Sequence, residues 1–432
     1  MQKQIEKWLI FIGAIFYIFV FPHGIHGDGT PRYITLEQFL TTGTWIDSKY
    51  PMIGSLFSAP FFYLGYLLKD HHWWVSRYNS FLFLILLALL WQGLKQQTSA
   101  DFRRRFILLL MAAGLFPRHG ADFYGEMFTC LCLSIGFLSL IKNLNPVGVT
   151  LLVFGVMNTP ATLIAVSLGV FMLFVQNPRR FCLFIFPPLA LSFILLENYL
   201  RRGSGFDFGY DFAKEFSDTT IQPYSGQVGF SYPFGFGLLS VLFSFGKGLV
   251  FFIPGLFFIP WLRRRMENFD RALLAVWGIV VVGLILTYSR WHSWHGGWFW
   301  GPRFYLFACV PALYGLAFWL GEVPRSLLRN SILFLILALS VWVSGSGIAF
   351  GLNNMNVCAD SMEYVCLYVP EFSPLWRPFI MEKGLNGKQT AFLIFHAFVF
   401  FALGWRQLYW ILRELRRELK QWLMKLRAEF QK

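Results

Sequence analysis

The stretch that decides the reading is Tyr288 to Pro311, YSRWHSWHGGWFWGPRFYLFACVP. It opens and closes in apolar sequence of the kind that spans a bilayer. Between those ends lie Arg290, His292, His295 and Arg303, interleaved with Trp291, Trp294, Trp298 and Trp300. Ionisable side chains at such a depth are costly and are kept chiefly where they act on something. An aromatic belt at headgroup level is the plain alternative, since Trp and Tyr favour that zone. The Gly296-Gly297 pair and the Gly301-Pro302-Arg303 corner argue for more. Glycine lets a backbone approach a ligand closely, and the guanidinium fork matches phosphate oxygens.

Working outward, apolar runs near the ~20 residues of a bilayer crossing recur along the chain. Its 432 residues are 56% hydrophobic, 20% aromatic and only 14% charged. The expected fold is all-α: a polytopic membrane protein of about a dozen segments over residues 1–412. A basic amphipathic tail follows at 413–432, with apolar residues at Leu415, Leu419, Trp422, Leu426 and Phe430. That spacing suits a helix in the cytoplasmic interface. The first run, Trp8 to Pro22, lacks a small-x-small cleavage site and reads as an uncleaved span.

Pro51 to Leu68 is apolar but broken by Gly54, Pro60 and Gly65. Counted as a crossing, it would send Lys95 and Arg103 to Arg105 outside, against the positive-inside rule. It is therefore read as lying along the surface or re-entrant. Asn158-Thr159-Pro160 divides Val147–Val175 into two short helices, and Phe236–Leu262 reads as one span. Both termini then face the cytoplasm, with 23 of the 37 Lys/Arg and 8 of the 23 Asp/Glu inside. The cytoplasmic side carries a net +15, the outer side −1, out of the overall +14. This basic excess faces anionic lipid and is no nucleic-acid footprint. Cys130, Cys132, Cys182 and Cys309 fall in spans as packing residues. Cys358 and Cys366 share an outer loop and form a disulfide if the compartment is oxidising. No phosphate-binding GxxxxGK[ST] loop is present.

The outer loops carry the candidate chemistry. Asp28 sits six residues past Pro22 between two glycines, as a base at a cavity mouth or as an Asx-turn residue. Partial burial is expected to raise its proton affinity. Asp122 and Glu126, four apart beside Arg118 and His119, orient a substrate, hold a cation or cap a helix. Lys49 and Lys247 are lone cations in apolar or aromatic sequence, placed either to hold a phosphate or to snorkel to the surface. Carboxylates suit base chemistry on a hydroxyl, cations suit an anionic leaving group, and rings suit sugar faces.

GDGTPRY (27–33), KYPMIGSLFSAPFFYLG (49–65), WWVSRYNSFLFLILLALL (73–90), FSFGKGLVFFIPG (243–255) and WHGGWFWGPRF (294–304) occur in that order. This series resembles the GT-C superfamily of membrane glycosyltransferases, including protein O-mannosyltransferases and lipid A aminoarabinose transferases. The resemblance covers residues 1 to 311. It implies an inverting transfer of a hexosyl or pentosyl group from a polyprenyl-phosphate donor to a lipid or glycan hydroxyl. The implied place is the outer face of a bacterial inner membrane. Asp28 matches the family's first-loop base. Arg32 and Lys49 match cations near the donor phosphate. Asp122 or Glu126 matches a second-loop acid. His292, His295 and Arg303 fall in the matching tryptophan loop as substrate contacts. The only cofactor the resemblance brings is a divalent cation, and Gly29, where many relatives carry a second acid, weighs against it. Two other readings stay open. A glycan polymerase or ligase would work from the late Arg/His loop. A lipid-linked sugar flippase would do no chemistry and would carry its charges at mid-span.

Overall fold

The computed structural model describes residues 2–210, 229–263, 265–322, 326–351, 358, 363–381 and 384–430. Helices account for nearly all regular structure, and among the described residues strand pairing is limited to one isolated bridge, Gly24 with Asp122. Among the described residues, five helical stretches are long and apolar enough to cross a membrane: Pro178–Arg202, Asn268–Tyr288, Arg303–Gly321, Leu327–Ala349 and Gly387–Glu429. The expected dozen is not confirmed by these five; shorter apolar helices such as Tyr78–Gly93, Pro146–Asn158 and Leu163–Gln176 stand beside them.

Local chemistry sets the breaks. Asn158 ends one helix and Pro160 opens a 3-10 turn before Leu163–Gln176; proline cannot supply the N–H that helix continuity needs. Pro51–Leu68 forms only the short helices Ile53–Leu56 and Ala59–Leu67, too short for a crossing at ~1.5 Å per residue. The single span expected over Phe236–Leu262 is corrected. Phe234–Phe243 stops before Ser244, the chain turns through Gly246, Lys247 and Gly248, and Pro254 starts a separate 3-10 turn. Glycines and a proline within ten residues leave the helix without continuity. Residues 413–430 continue the helix of the last span, Gly387–Phe430. Leu415, Leu419 and Trp422 are exposed along it.

Contacts between helix ends form two sets. At one end Glu6 pairs with Arg104 at 2.8 Å, Lys142 Nζ donates to Gly93 O, and Arg180 donates to Ile141 O. Glu322 joins Arg265 and Arg329 there. This basic end is the one the charge pattern assigns to the cytoplasm. At the other end meet residues 23–52, 118–126, 201–209 and 290–303. With exposed Cys182 replaced by serine, Lys95→Cys and Ser204→Cys are expected to react with an impermeant maleimide from opposite sides of a sealed membrane. Same-side labelling would remove the surface assignment of residues 51–68. Arg264, in the arginine triplet expected at the cytoplasmic side, lies outside the described residues.

The cysteines follow expectation with one exception. Cys130, Cys132 and Cys309 are buried, but Cys182 is exposed, because it sits in the 3-10 turn Pro178–Ile185. Cys358 and Cys366 are disulfide-bonded, with Cα atoms 5.9 Å apart, inside the range the bond requires.

Candidate active site

The first and second loops are laced together before any charge is considered. Gly24 N–H donates to Ala121 O at 3.0 Å. Buried Asn79, from Tyr78–Gly93, donates from Nδ2 to Asp122 O and Tyr124 O at 2.6 and 2.8 Å. Gly29 completes the approach, because a Cβ there would stand 2.9 Å from Phe123 O. Any other residue would push the loops apart, which is the reason for glycine beside Asp28.

Asp28 precedes the helix Gly29–Thr42, yet its side chain makes no capping bond. It points instead to Arg303, whose Nη1 lies 2.7 Å from Oδ2. The turn reading of Asp28 is thereby set aside. Nε of the same guanidinium is 3.7 Å from Glu126 Oε1. Rings of Tyr124 and Phe304 flank it at 5.3 and 5.1 Å, a cation–π arrangement. Arg32 closes the group: its Cζ is 5.0 Å from the Tyr50 ring and its Nη1 donates to Pro51 O at 3.3 Å. Two carboxylates and two guanidiniums thus form a neutral cluster. Arg303 is mostly shielded, whereas Asp28 is 29% exposed and open to a ligand.

The expectation that burial raises the proton affinity of Asp28 is corrected. Burial does push upward, but Arg303, the Tyr50 hydroxyl and Arg32 outweigh it and hold the carboxyl below its ordinary value. In this state Asp28 is ionised and a weak base.

The tryptophan loop carries Arg303 to this point. Lys247, from the broken segment, reaches into it and donates to the carbonyls of Gly297 (3.3 Å), Phe299 and Gly301 (3.1 Å). Three carbonyls on one ammonium fix the loop's curvature. Gly296, at φ +77°, would place a Cβ 2.9 Å from Arg303 Cγ. Trp294 and Trp300 are buried and Trp298 is 40% exposed, so the loop is a packed structural element more than a belt.

The other sequence candidates fall elsewhere. Asp122 is paired with Arg118 at 2.8 Å; burial raises its pKa, with Arg118 and His26 opposing. Of the two second-loop acids, Glu126 is therefore the one at the cluster. His292 Nδ1 accepts from Gly229 N–H at 3.0 Å, and the His292 backbone N–H donates to Gly229 O at 2.8 Å. His295 Nδ1 accepts from Gly297 N–H. Burial, with Lys247 beside it, pushes its pKa down to about 3, so the ring is neutral. The Nδ1 atom of each histidine thus braces a loop by accepting from a backbone N–H. Lys49 Nζ stands over the rings of Tyr50 and Tyr210 at 5.7 and 5.4 Å. Tyr50, Tyr124 and Asn79 were missed. An aromatic-rich membrane sequence offers no signal that separates a site tyrosine from a packing one.

A divalent cation does not fit this donor set. Among the described residues no three His, Cys, Asp or Glu gather as ligands. The space between Asp28 and Glu126 is filled by the Arg303 guanidinium.

No family model and no curated protein matches the sequence. Solved structures do. The crystal structure of ArnT from Cupriavidus metallidurans bound to undecaprenyl phosphate aligns with a TM-score of 0.51 at 14% identity, covering 92% of this chain and 75% of that one. Its apo state gives the same TM-score at 15% identity, over 92% and 76%. The fold is GT-C. On this fold the Asp28–Arg303–Glu126 cluster joins the first loop, residues 23–50, to the loop before Arg303–Gly321. The alignment also extends well beyond residue 311, where the sequence resemblance ended.

Proposed function

We propose that this chain is an inverting glycosyltransferase that takes its sugar from a polyprenyl-phosphate donor, at the membrane face opposite its basic end. The observation that carries the reading is the Asp28–Arg303 pair, a carboxylate and a phosphate-matching fork 2.7 Å apart on a GT-C fold. ArnT, whose structure holds undecaprenyl phosphate, supports the lipid class.

The chemistry follows from the charges. An acceptor hydroxyl oxygen attacks the anomeric carbon while Asp28 takes its proton. The bond from that carbon to the phosphate oxygen breaks, and the polyprenyl phosphate leaves with the electron pair on the opposite side. Arg303 and Arg32 stabilise the departing anion. A phosphate arriving at Arg303 competes with Asp28 and Glu126 for the guanidinium. Asp28 thereby gains proton affinity as donor binds, and the resting weakness of the base is relieved when it is needed.

The test is binding and turnover in lipid nanodiscs with synthetic polyprenyl-phosphate sugars. The expected result is saturable binding of the polyprenyl phosphate and its release only when a hydroxyl acceptor is supplied. A folded chain that binds no polyprenyl phosphate would overturn the proposal.

A further inference from the structure

We propose that Glu197 and Arg201 are positioning residues that hold Tyr50 against Asp28. The inference deepens the glycosyltransferase reading and rests on it.

Residues 43–52 link two helices and have almost no regular structure of their own. Their backbone groups need partners from elsewhere, and one helix end supplies them. Arg201 Nη1 donates to Tyr50 O at 2.9 Å, and Nη2 donates to Ser48 O at 2.9 Å and Ile46 O at 3.3 Å. Met52 N–H donates to Glu197 Oε1 at 2.7 Å, and Arg201 Nη1 meets that same oxygen at 3.1 Å. Glu197 and Arg201 are four apart on Phe186–Arg202, so they share a face. The Arg201 side chain is 1% exposed and that of Glu197 15%. Charge-assisted bonds in such shielding are the strong ones. Arg202 adds a bond to Asp47 at 2.8 Å.

Tyr50 stands at the centre of this clamp. Its carbonyl is held by Arg201, the next carbonyl by Arg32, and the N–H after that by Glu197. The hydroxyl bears on Asp28. A helix end that never touches the reacting atoms thus fixes a neighbour of the base. Loop anchoring alone would account for the bonds but not for an effect on Asp28, and that difference is measurable.

Glu197→Ala and Arg201→Ala are compared with Glu197→Gln, which keeps an acceptor for Met52. The alanine variants should speed hydrogen exchange at Met52. They should lower kcat on the order of 10–100-fold, as small misplacements do, with little change in donor KM. The acidic limb of kcat/KM should move to higher pH, because losing the Tyr50 hydroxyl removes one of the interactions that hold the Asp28 pKa down. Tyr50→Phe should reproduce that shift, and Glu197→Gln should retain most activity. If Arg201→Ala does not fold, Glu197→Ala decides alone. Faster exchange with unchanged kcat and limb overturns the inference, as does unchanged exchange. If the wild-type chain transfers no sugar, that failure belongs to the glycosyltransferase reading. The inference is then decided by the infrared titration of the Asp28 carboxylate, assigned against Asp28→Asn. Its midpoint must rise in Glu197→Ala, and a fixed midpoint overturns it.

Discussion

Asp28→Asn is expected to lower kcat by roughly 10²–10⁴-fold, the usual worth of a positioned general base, while donor binding stays intact or tightens. The amide keeps the size of the carboxylate and can still accept from an Arg303 nitrogen. It cannot take a proton from the acceptor hydroxyl. It also withdraws one negative charge from Arg303, which keeps Glu126 at 3.7 Å as its remaining acidic partner. A donor phosphate then meets a guanidinium with less competition, so Kd should not rise. The pH profile gives an independent check. In the wild type, kcat/KM reports the free enzyme, where Arg303, Tyr50 and Arg32 hold Asp28 below its ordinary range despite burial. A group that must be ionised to act, with a lowered pKa, leaves activity intact until pH falls below the usual carboxylate values. In Asp28→Asn that limb should vanish. Undiminished transfer by a folded Asp28→Asn protein would move the base elsewhere, with Glu126 the next to test.

The sequence carried the fold class in its hydropathy, because a bilayer demands long apolar helices and no other feature is as periodic. The expected surface reading of Pro51–Leu68 came from the arginines that follow, and the structure breaks that stretch into two short helices. The sequence did not carry the break at Ser244–Gly248. There a run of apolar residues looks the same whether the helix continues or stops, and Lys247 turns inward to bind three carbonyls. Asp28 and Arg303 were legible as chemistry, but their pairing was not, since 275 positions separate them and only folding sets them 2.7 Å apart. His292 and His295 read from the sequence as substrate contacts, and no sequence signal showed that the Nδ1 of each accepts from a backbone N–H, of Gly229 and Gly297. The clamp from Glu197 and Arg201 had no sequence signal, because acids and arginines at a helix end are ordinary interfacial residues.

Arg303→Lys is expected to fold and to lose about 10–100-fold in donor affinity. Arginine offers five donors in a rigid plane, and here that plane serves two acids at once, with the rings of Tyr124 and Phe304 beside it. Lysine is a single point of charge on a flexible stem and cannot hold a phosphate with a paired contact. A hydrogen bond to a charged group contributes ~1.5–3 kcal/mol, and each ~1.4 kcal/mol is tenfold in affinity, which sets the size of the loss. Charge is conserved, so the carboxylates are not left stranded and folding should survive. The second consequence separates a phosphate contact from a brace. An ammonium that cannot reach Asp28 and Glu126 together pairs less well with Asp28, whose pKa then rises under the burial that already pushes it upward. The acidic limb of kcat/KM should therefore move to higher pH while donor Kd weakens. A weaker Kd with a fixed limb would make Arg303 a donor contact that does not tune the base. A shifted limb with wild-type Kd would make it a partner of Asp28 alone, and the donor phosphate would have to be held by Arg32 and Lys49.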